Sequence, residues 1–200
     1  VFSPKSLLRH PDVVSSVDEL ANGQFQEVLD DPNVTDKKAV KTLVFCTGKV
    51  YYDIIAQRQE LDRTDVAVVR LEQLFPLAVD QIKAIIASYP NVDDFVWAQE
   101  EPKNMGAWHF LESKIEHCLN NIDHKTKRPK YVGRVESASP AAGYLKMHNV
   151  EQEKLIKKAI SVILIFIFQH SVFGFSNCLP QMPQILTVVS QVAQVSNTTI

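Results

Sequence analysis

Four times in the first 160 residues, a short run rich in β-branched and aromatic side chains gives way to a turn and then to apolar residues at helical spacing. The first run is 41–46, followed by Thr47-Gly48-Lys49 and a helical segment 51–61, in which Tyr51, Ile54, Ile55 and Arg58 recur on one side. Strand 65–71 with helix 79–89, strand 94–98 with helix 107–119, and strand 130–134 with helix 150–160 repeat the phrase. Strands that alternate with helices cannot form hairpins. They are expected to lie side by side in a mainly parallel sheet with right-handed crossovers and helices on both faces, an α/β fold.

Charge is confined to this alternating region. The 21 basic and 23 acidic residues all fall within positions 1–160, and 161–200 holds none. The net charge of −2 leaves no broad basic field, and binding to nucleic acid irrespective of sequence needs several phosphates neutralised, so nucleic acid is not an expected partner. Cys46, Cys118 and Cys178 are widely spaced and lack the Cys-x-x-Cys or Cys/His spacing of a tetrahedral zinc site. They read as reduced thiols in an intracellular protein. The opening Val1-Phe2-Ser3-Pro4-Lys5 has no Met and no features of a secretory signal, so the chain is expected to start inside a longer one.

Ligands of an open parallel sheet gather beyond the carboxyl ends of its strands, so the segments that follow each strand carry the functional question. After the first strand, Gly48 and Lys49 precede a helix whose free amides could hold an anion, although a lone glycine is also what any tight βα turn uses. After the third comes Gln99-Glu100-Glu101-Pro102-Lys103-Asn104-Met105-Gly106-Ala107-Trp108. Adjacent carboxylates on an extended backbone point to opposite sides, so Glu100 and Glu101 do not read as an acid and base pair. Docking of a neighbouring domain suits this loop better, with Gln99, Glu100, Glu101, Asn104 and Trp108 as candidates. After the fourth strand, Arg134 is the cation best placed for a carboxylate or phosphate, with an ion pair to Glu136 or to a neighbouring domain as the plainer alternative. The basic run 124–130 reads as a solvated connection. The six histidines form no metal-binding pair, and no serine, histidine and aspartate assemble a nucleophile motif, so no catalytic, cofactor-binding or metal-ligating residue is assigned.

Five blocks in order then resemble a known family: Ser3-Pro4-Lys5-Ser6-Leu7-Leu8-Arg9-His10-Pro11, the stretch from Cys46 to Asp53, Arg70 to Leu74, Gln99 to Trp108, and Gly133 to Tyr144. Together they are similar to the carboxyl-terminal domain of the 2-oxoglutarate dehydrogenase E1 component, a transketolase-like domain. The resemblance implies a parent that decarboxylates 2-oxoglutarate on thiamine diphosphate and magnesium and passes the succinyl group to the lipoyl arm of E2, in the citric acid cycle. In that family the cofactor lies on earlier domains. The implied role here is non-catalytic: assembly with the preceding E1 domains and a second E1 subunit as a homodimer, within a complex that also contains the E2 succinyltransferase and E3. The implied place is the mitochondrial matrix or the bacterial cytoplasm.

Relatives that bind acetyl-CoA on this domain present two adjacent arginines where this sequence has Gly133-Arg134, which leaves Gly48, Lys49 and Arg134 as an effector anion site of reduced strength. A sister enzyme acting on 2-oxoadipate shares several blocks, and Lys37 to Phe45 is similar to it, but Ser137 to Tyr144 favours the 2-oxoglutarate enzyme. A free-standing nucleotide-binding α/β module is the alternative from another class. The expected organisation is an approach segment 1–40 packing on the domain, the α/β domain 41–160, and a tail 161–200 outside the family's pattern, read-through or disordered. Its apolar run 162–168 is well short of the roughly 18 residues of a membrane span, and a membrane is not a favoured partner.

Overall fold

A computed structural model describes residues 4–122 and 124–161. The chain divides into two units, Val1–Ile165 and Phe166–Ile200, and the description concerns the first. The expected tail therefore lies outside the described residues, apart from Ser161.

Five strands form one sheet in the order β1-β3-β2-β4-β5: β1 (Val28–Leu29), β2 (Thr42–Cys46), β3 (Val66–Leu71), β4 (Asp94–Pro102) and β5 (Lys130–Arg134). All neighbours are parallel except β1, which runs antiparallel to β3. The helices are α1 (Val17–Asn22), α2 (Val50–Glu60), α3 (Val79–Ser88), α4 (Trp108–Asn121) and α5 (Leu145–Ile160), with a 3-10 turn at Lys5–Arg9.

Because successive strand residues face opposite sides, each strand feeds two cores. Leu43, Phe45, Val69, Phe95 and Trp97 pack with Ile82 and Ile86 of α3 and with Leu111 and Ile115 of α4. Val44, Val68, Val96, Ala98 and Val132 pack with Ile54 of α2 and with Leu155 and Ala159 of α5. Every residue of β2 is buried, which is why its sequence reads as an unbroken apolar run rather than an alternation.

Helix α1 and strand β1 lie within the expected approach segment 1–40, and two further elements depart from the sequence reading in their bounds. Strand β4 continues through Pro102, four residues beyond the expected end at Ala98. Helix α5 begins at Leu145, five residues before the expected start; Tyr144 caps it without a side-chain hydrogen bond, so the sequence carries no capping signal there.

The two-residue strand β1 leaves the rest of the β3 edge to be satisfied by side chains. Past Leu29, which pairs with Arg70, the Asp31 carboxylate accepts the Val68 backbone N–H (2.8 Å). Arg58 of α2 donates to the Val66 carbonyl (3.1 Å) and also to Asp31, so a buried ion pair stands in for a strand. Removing one partner of such a pair leaves an uncompensated charge in the core, a loss of about 3–5 kcal/mol. We expect Asp31→Ala to lower the unfolding free energy by about that amount in urea denaturation. Asp31→Leu with Arg58→Met should recover only part of it, since Val68 N–H and Val66 C=O then remain unpaired.

Candidate functional site

In the strand order, β3 lies on one side of β2 and β4 on the other, so the chain's direction across the sheet reverses between β2 and β4. The crevice beyond the carboxyl ends of two such strands is where open α/β sheets hold ligands. The turn after β2 supplies Gly48, whose φ of 68° is left-handed, and Lys49 at the start of α2. From β4, Glu100 turns to the same face as Ala98, toward α2 and α5, while Glu101 is exposed.

The crevice is closed by its own side chains. Lys49 Nζ lies 3.4 Å from Asp53 and 3.5 Å from Glu100. The Gln152 amide of α5 donates to both carboxylates, at 2.9 Å and 2.8 Å. Two carboxylates beside a single ammonium would repel a phosphate, and Asp53 already occupies the first turn of α2, where an anion would otherwise be favoured. These residues therefore do not fit thiamine diphosphate.

Arg134, expected as a companion to Lys49, has separate partners. Its Nη2 is 2.8 Å from His148 Nδ1, which must accept because a guanidinium only donates. Its Nε lies 3.3 Å from Glu151 but out of line for a hydrogen bond, so this contact is an ion pair only. Glu136, the partner considered from the sequence, is exposed.

Around Gln99 the chain builds a rigid rim. Gln99 is on the same face of β4 as Trp97, and its Oε1 accepts from Trp97 Nε1 (2.8 Å) and the Trp108 backbone N–H (3.1 Å). Its Nε2 donates to the carbonyls of Glu101, Pro102 and Met105, the last at 2.7 Å. Between Ala98 and Pro102, four steps along β4 match two along β5, a bulge that carries Glu100 and Glu101. Gly133 makes room for it: a Cβ there would lie 2.9 Å from the Gln99 carbonyl oxygen and 2.2 Å from the Tyr131 hydroxyl. Tyr131 donates to the Glu101 and Arg134 carbonyls, and burial pushes its phenol up to about 12, which keeps it a donor.

Of the five docking candidates, two are interior. Gln99 is buried, and Trp108 is 4% exposed, tilted against Tyr131 with ring centroids 5.3 Å apart. The spacing Trp108, Leu111, Ile115 already marks the core side of α4. Glu101 and Asn104 are exposed. Asn104 forms a two-way bridge with Ser137, donating to its carbonyl and accepting its N–H, both at 3.0 Å. This bridge, not visible from the sequence, joins the loops after β4 and β5 into one polar lip. The basic run is neutralised locally: Lys125 pairs with Asp93, Arg128 with Glu116 and Lys130 with Asp94. Burial also raises the Cys46 thiol, which makes it inert.

The fold and this site define an α/β domain whose strand-end crevice is filled by its own side chains, with an exposed polar lip beside it. The profile of the 2-oxoglutarate dehydrogenase C-terminal family matches residues 14–160, and the chain belongs to that family. It is 46% identical over 160 residues to the 2-oxoglutarate dehydrogenase E1 component of Haemophilus influenzae, covering 80% of this chain and 17% of that protein. Oxoglutarate dehydrogenase of Buchnera aphidicola is 41% identical over 162 residues, covering 81% and 17%. The E1 component of Azotobacter vinelandii is 42% identical over 164 residues, covering 80% and 17%. The chain thus spans about 17% of the length of these curated relatives. A solved chain described as a split gene transketolase, inactive beta4 tetramer, has a TM-score of 0.49 at 14% identity, over 71% of this chain and 43% of that one. Among the described residues no helix is long and apolar enough to cross a membrane.

The Gln99 network makes a direct prediction. Gln99→Leu keeps the volume but strips the partner from the Trp97 indole N–H, the Trp108 amide and the Met105 carbonyl, and each buried unpaired group costs about 1–3 kcal/mol. We expect it to lower the unfolding free energy by about 3 kcal/mol or more. Gly106→Ala should also destabilise, because φ is +67° and the new Cβ would sit 2.8 Å from Gln99 Nε2. Thermal unfolding followed by circular dichroism checks both.

Proposed function

We propose that this chain acts as the non-catalytic carboxyl-terminal assembly domain of a 2-oxoglutarate dehydrogenase E1 subunit. The observation that carries this reading is the closed crevice: the place where an α/β sheet would hold a ligand is occupied by Lys49, Asp53, Glu100 and Gln152. What the domain offers outward is the bridged lip of Glu101, Lys103, Asn104 and residues 135–141, which is exposed throughout. In this reading the parent binds thiamine diphosphate and magnesium on its other domains and decarboxylates 2-oxoglutarate. The lip rests against those domains, and the assembled E1 dimer serves E2 and E3 in the complex. The named relatives are 2-oxoglutarate enzymes, which supports that substrate over 2-oxoadipate. A nucleotide-binding module is disfavoured by the two carboxylates that hold Lys49.

The test is restoration in trans. A relative's E1 truncated to remove the region matched here should lose 2-oxoglutarate decarboxylation, and adding this chain should restore a measurable part of it with an artificial electron acceptor. The chain alone should show neither turnover nor, by calorimetry with magnesium present, binding of thiamine diphosphate. A chain that fails to bind the truncated E1, or that binds the cofactor stoichiometrically by itself, would overturn the proposal.

A further inference from the structure

The crevice at the carboxyl ends of the strands is filled, but a hollow at the opposite end of the sheet is not. A recess of about 550 Å³ is bordered by Lys41, which leads into β2, by the turn 90–93 ahead of β4, and by His124 and Lys125 on the way to β5. That volume lies within the roughly 300–1,000 Å³ of small-molecule sites. The floor is apolar, made by Ile86 of α3, by Val92 and by Ile122 at the end of α4, all part of the core on that face of the sheet.

The rim is knitted together by backbone groups. The Lys41 carbonyl accepts the N–H groups of Asp93 (2.8 Å) and Asp94 (3.2 Å). The Asn91 side-chain amide donates to the Lys38 carbonyl (2.8 Å), and the Thr126 hydroxyl donates to the Asp93 carbonyl (2.7 Å). Three connections distant in sequence are therefore fixed before any ligand arrives, which lowers the ordering cost of binding.

His124 is held in one tautomer. Its ring stands edge-on to Phe95 with centroids 4.9 Å apart, and its Nδ1 accepts the Thr126 backbone N–H at 3.1 Å. A ring nitrogen that accepts an N–H carries no proton, so the proton of the neutral ring is on Nε2, a donor that no described residue takes up. Burial, the largest influence, holds the ring below the usual histidine range and favours this neutral form. Of the charges around the recess, Lys125 is paired with Asp93. Lys41 Nζ has the Asn91 carbonyl at 3.5 Å, and no carboxylate among the described residues pairs with it.

We propose that this recess binds a small organic monocarboxylate, its carboxylate held between Lys41 Nζ and His124 Nε2 and its hydrocarbon body lying on Ile86, Val92 and Ile122. One unpaired ammonium matches one negative charge. A doubly charged phosphate would bring a second charge beside the Asp93 carboxylate and would leave the apolar floor wet. The site is separate from the filled crevice and from the lip, and it does not depend on the assembly reading.

The experiment is a titration of the full chain with isocaproate near neutral pH, followed by nuclear magnetic resonance of the backbone amides and of the His124 ring. Signals of Lys41, 91–93 and 124–126 should shift together and saturate, with a dissociation constant on the order of 1 mM. Isocaproamide, which has the same body without the charge, should bind at least about tenfold more weakly, and so should inorganic phosphate. Lys41→Gln, an exposed change, should raise the dissociation constant for isocaproate by about tenfold. His124→Phe, which keeps a ring against Phe95 and removes the donor, should do likewise with the fold intact by circular dichroism. An absence of saturable shifts, phosphate or the amide binding as tightly as isocaproate, or an affinity indifferent to Lys41→Gln would each overturn the proposal.

Discussion

Five polar contacts converge on the side-chain amide of Gln99, three from its nitrogen and two to its oxygen. They bind together a strand, the bulge that ends it, the loop beyond and the first turn of α4. The Glu101 and Pro102 carbonyls have second donors in Tyr131 and the Met105 N–H, but without the amide the Trp97 indole N–H, the Trp108 backbone N–H and the Met105 carbonyl would lose their partner next to a tryptophan core. The two glycines nearby are consequences of this joint: Gly106 leaves room for the amide, and Gly133 lets the bulged strand approach β5. With the joint in place, Glu100 is delivered to one face of the sheet and Glu101 to the solvent rim.

The electrostatics follow from that delivery. Glu100 meets Lys49 and Gln152, which come from a turn and a helix far apart in sequence, and together with Asp53 they fill the crevice at the switch in strand order. A site closed by half-buried charges is a poor receptor for another anion, and opening it would leave charges unpaired at considerable cost. The same end of the sheet exposes a lip stiffened by backbone bridges such as that between Asn104 and Ser137. A preorganised polar surface beside a filled crevice suits docking better than turnover.

Most of the sheet could be read from the residues because strands buried on both faces are short apolar runs separated by turns. The elements that escaped carry no local signal of their own. Strand β1 is two residues long, and Asp31 and Arg58 finish its work. The last part of β4 carries two glutamates and imitates a loop. Helix α5 starts on an uncapped, exposed turn that gives no signal. At the site, the peculiarity of 99–108 was legible, but its division was not. Glu101 and Asn104 are outward, whereas Gln99 and Trp108 serve the interior, which only the spacing of Trp108 with Leu111 and Ile115 betrays. The closure of the crevice depends on Gln152, whose place in a helix reveals nothing of its partners.

Hydrogen exchange on this chain, with and without an E1 lacking the matching region, tests the central claim most directly. If the domain docks through its lip, backbone amides in 101–105 and 135–143 gain protection on mixing, while those of β2 and β3 are unchanged. Protection confined to other surfaces, or no change at concentrations where the two proteins are together in solution, would contradict it.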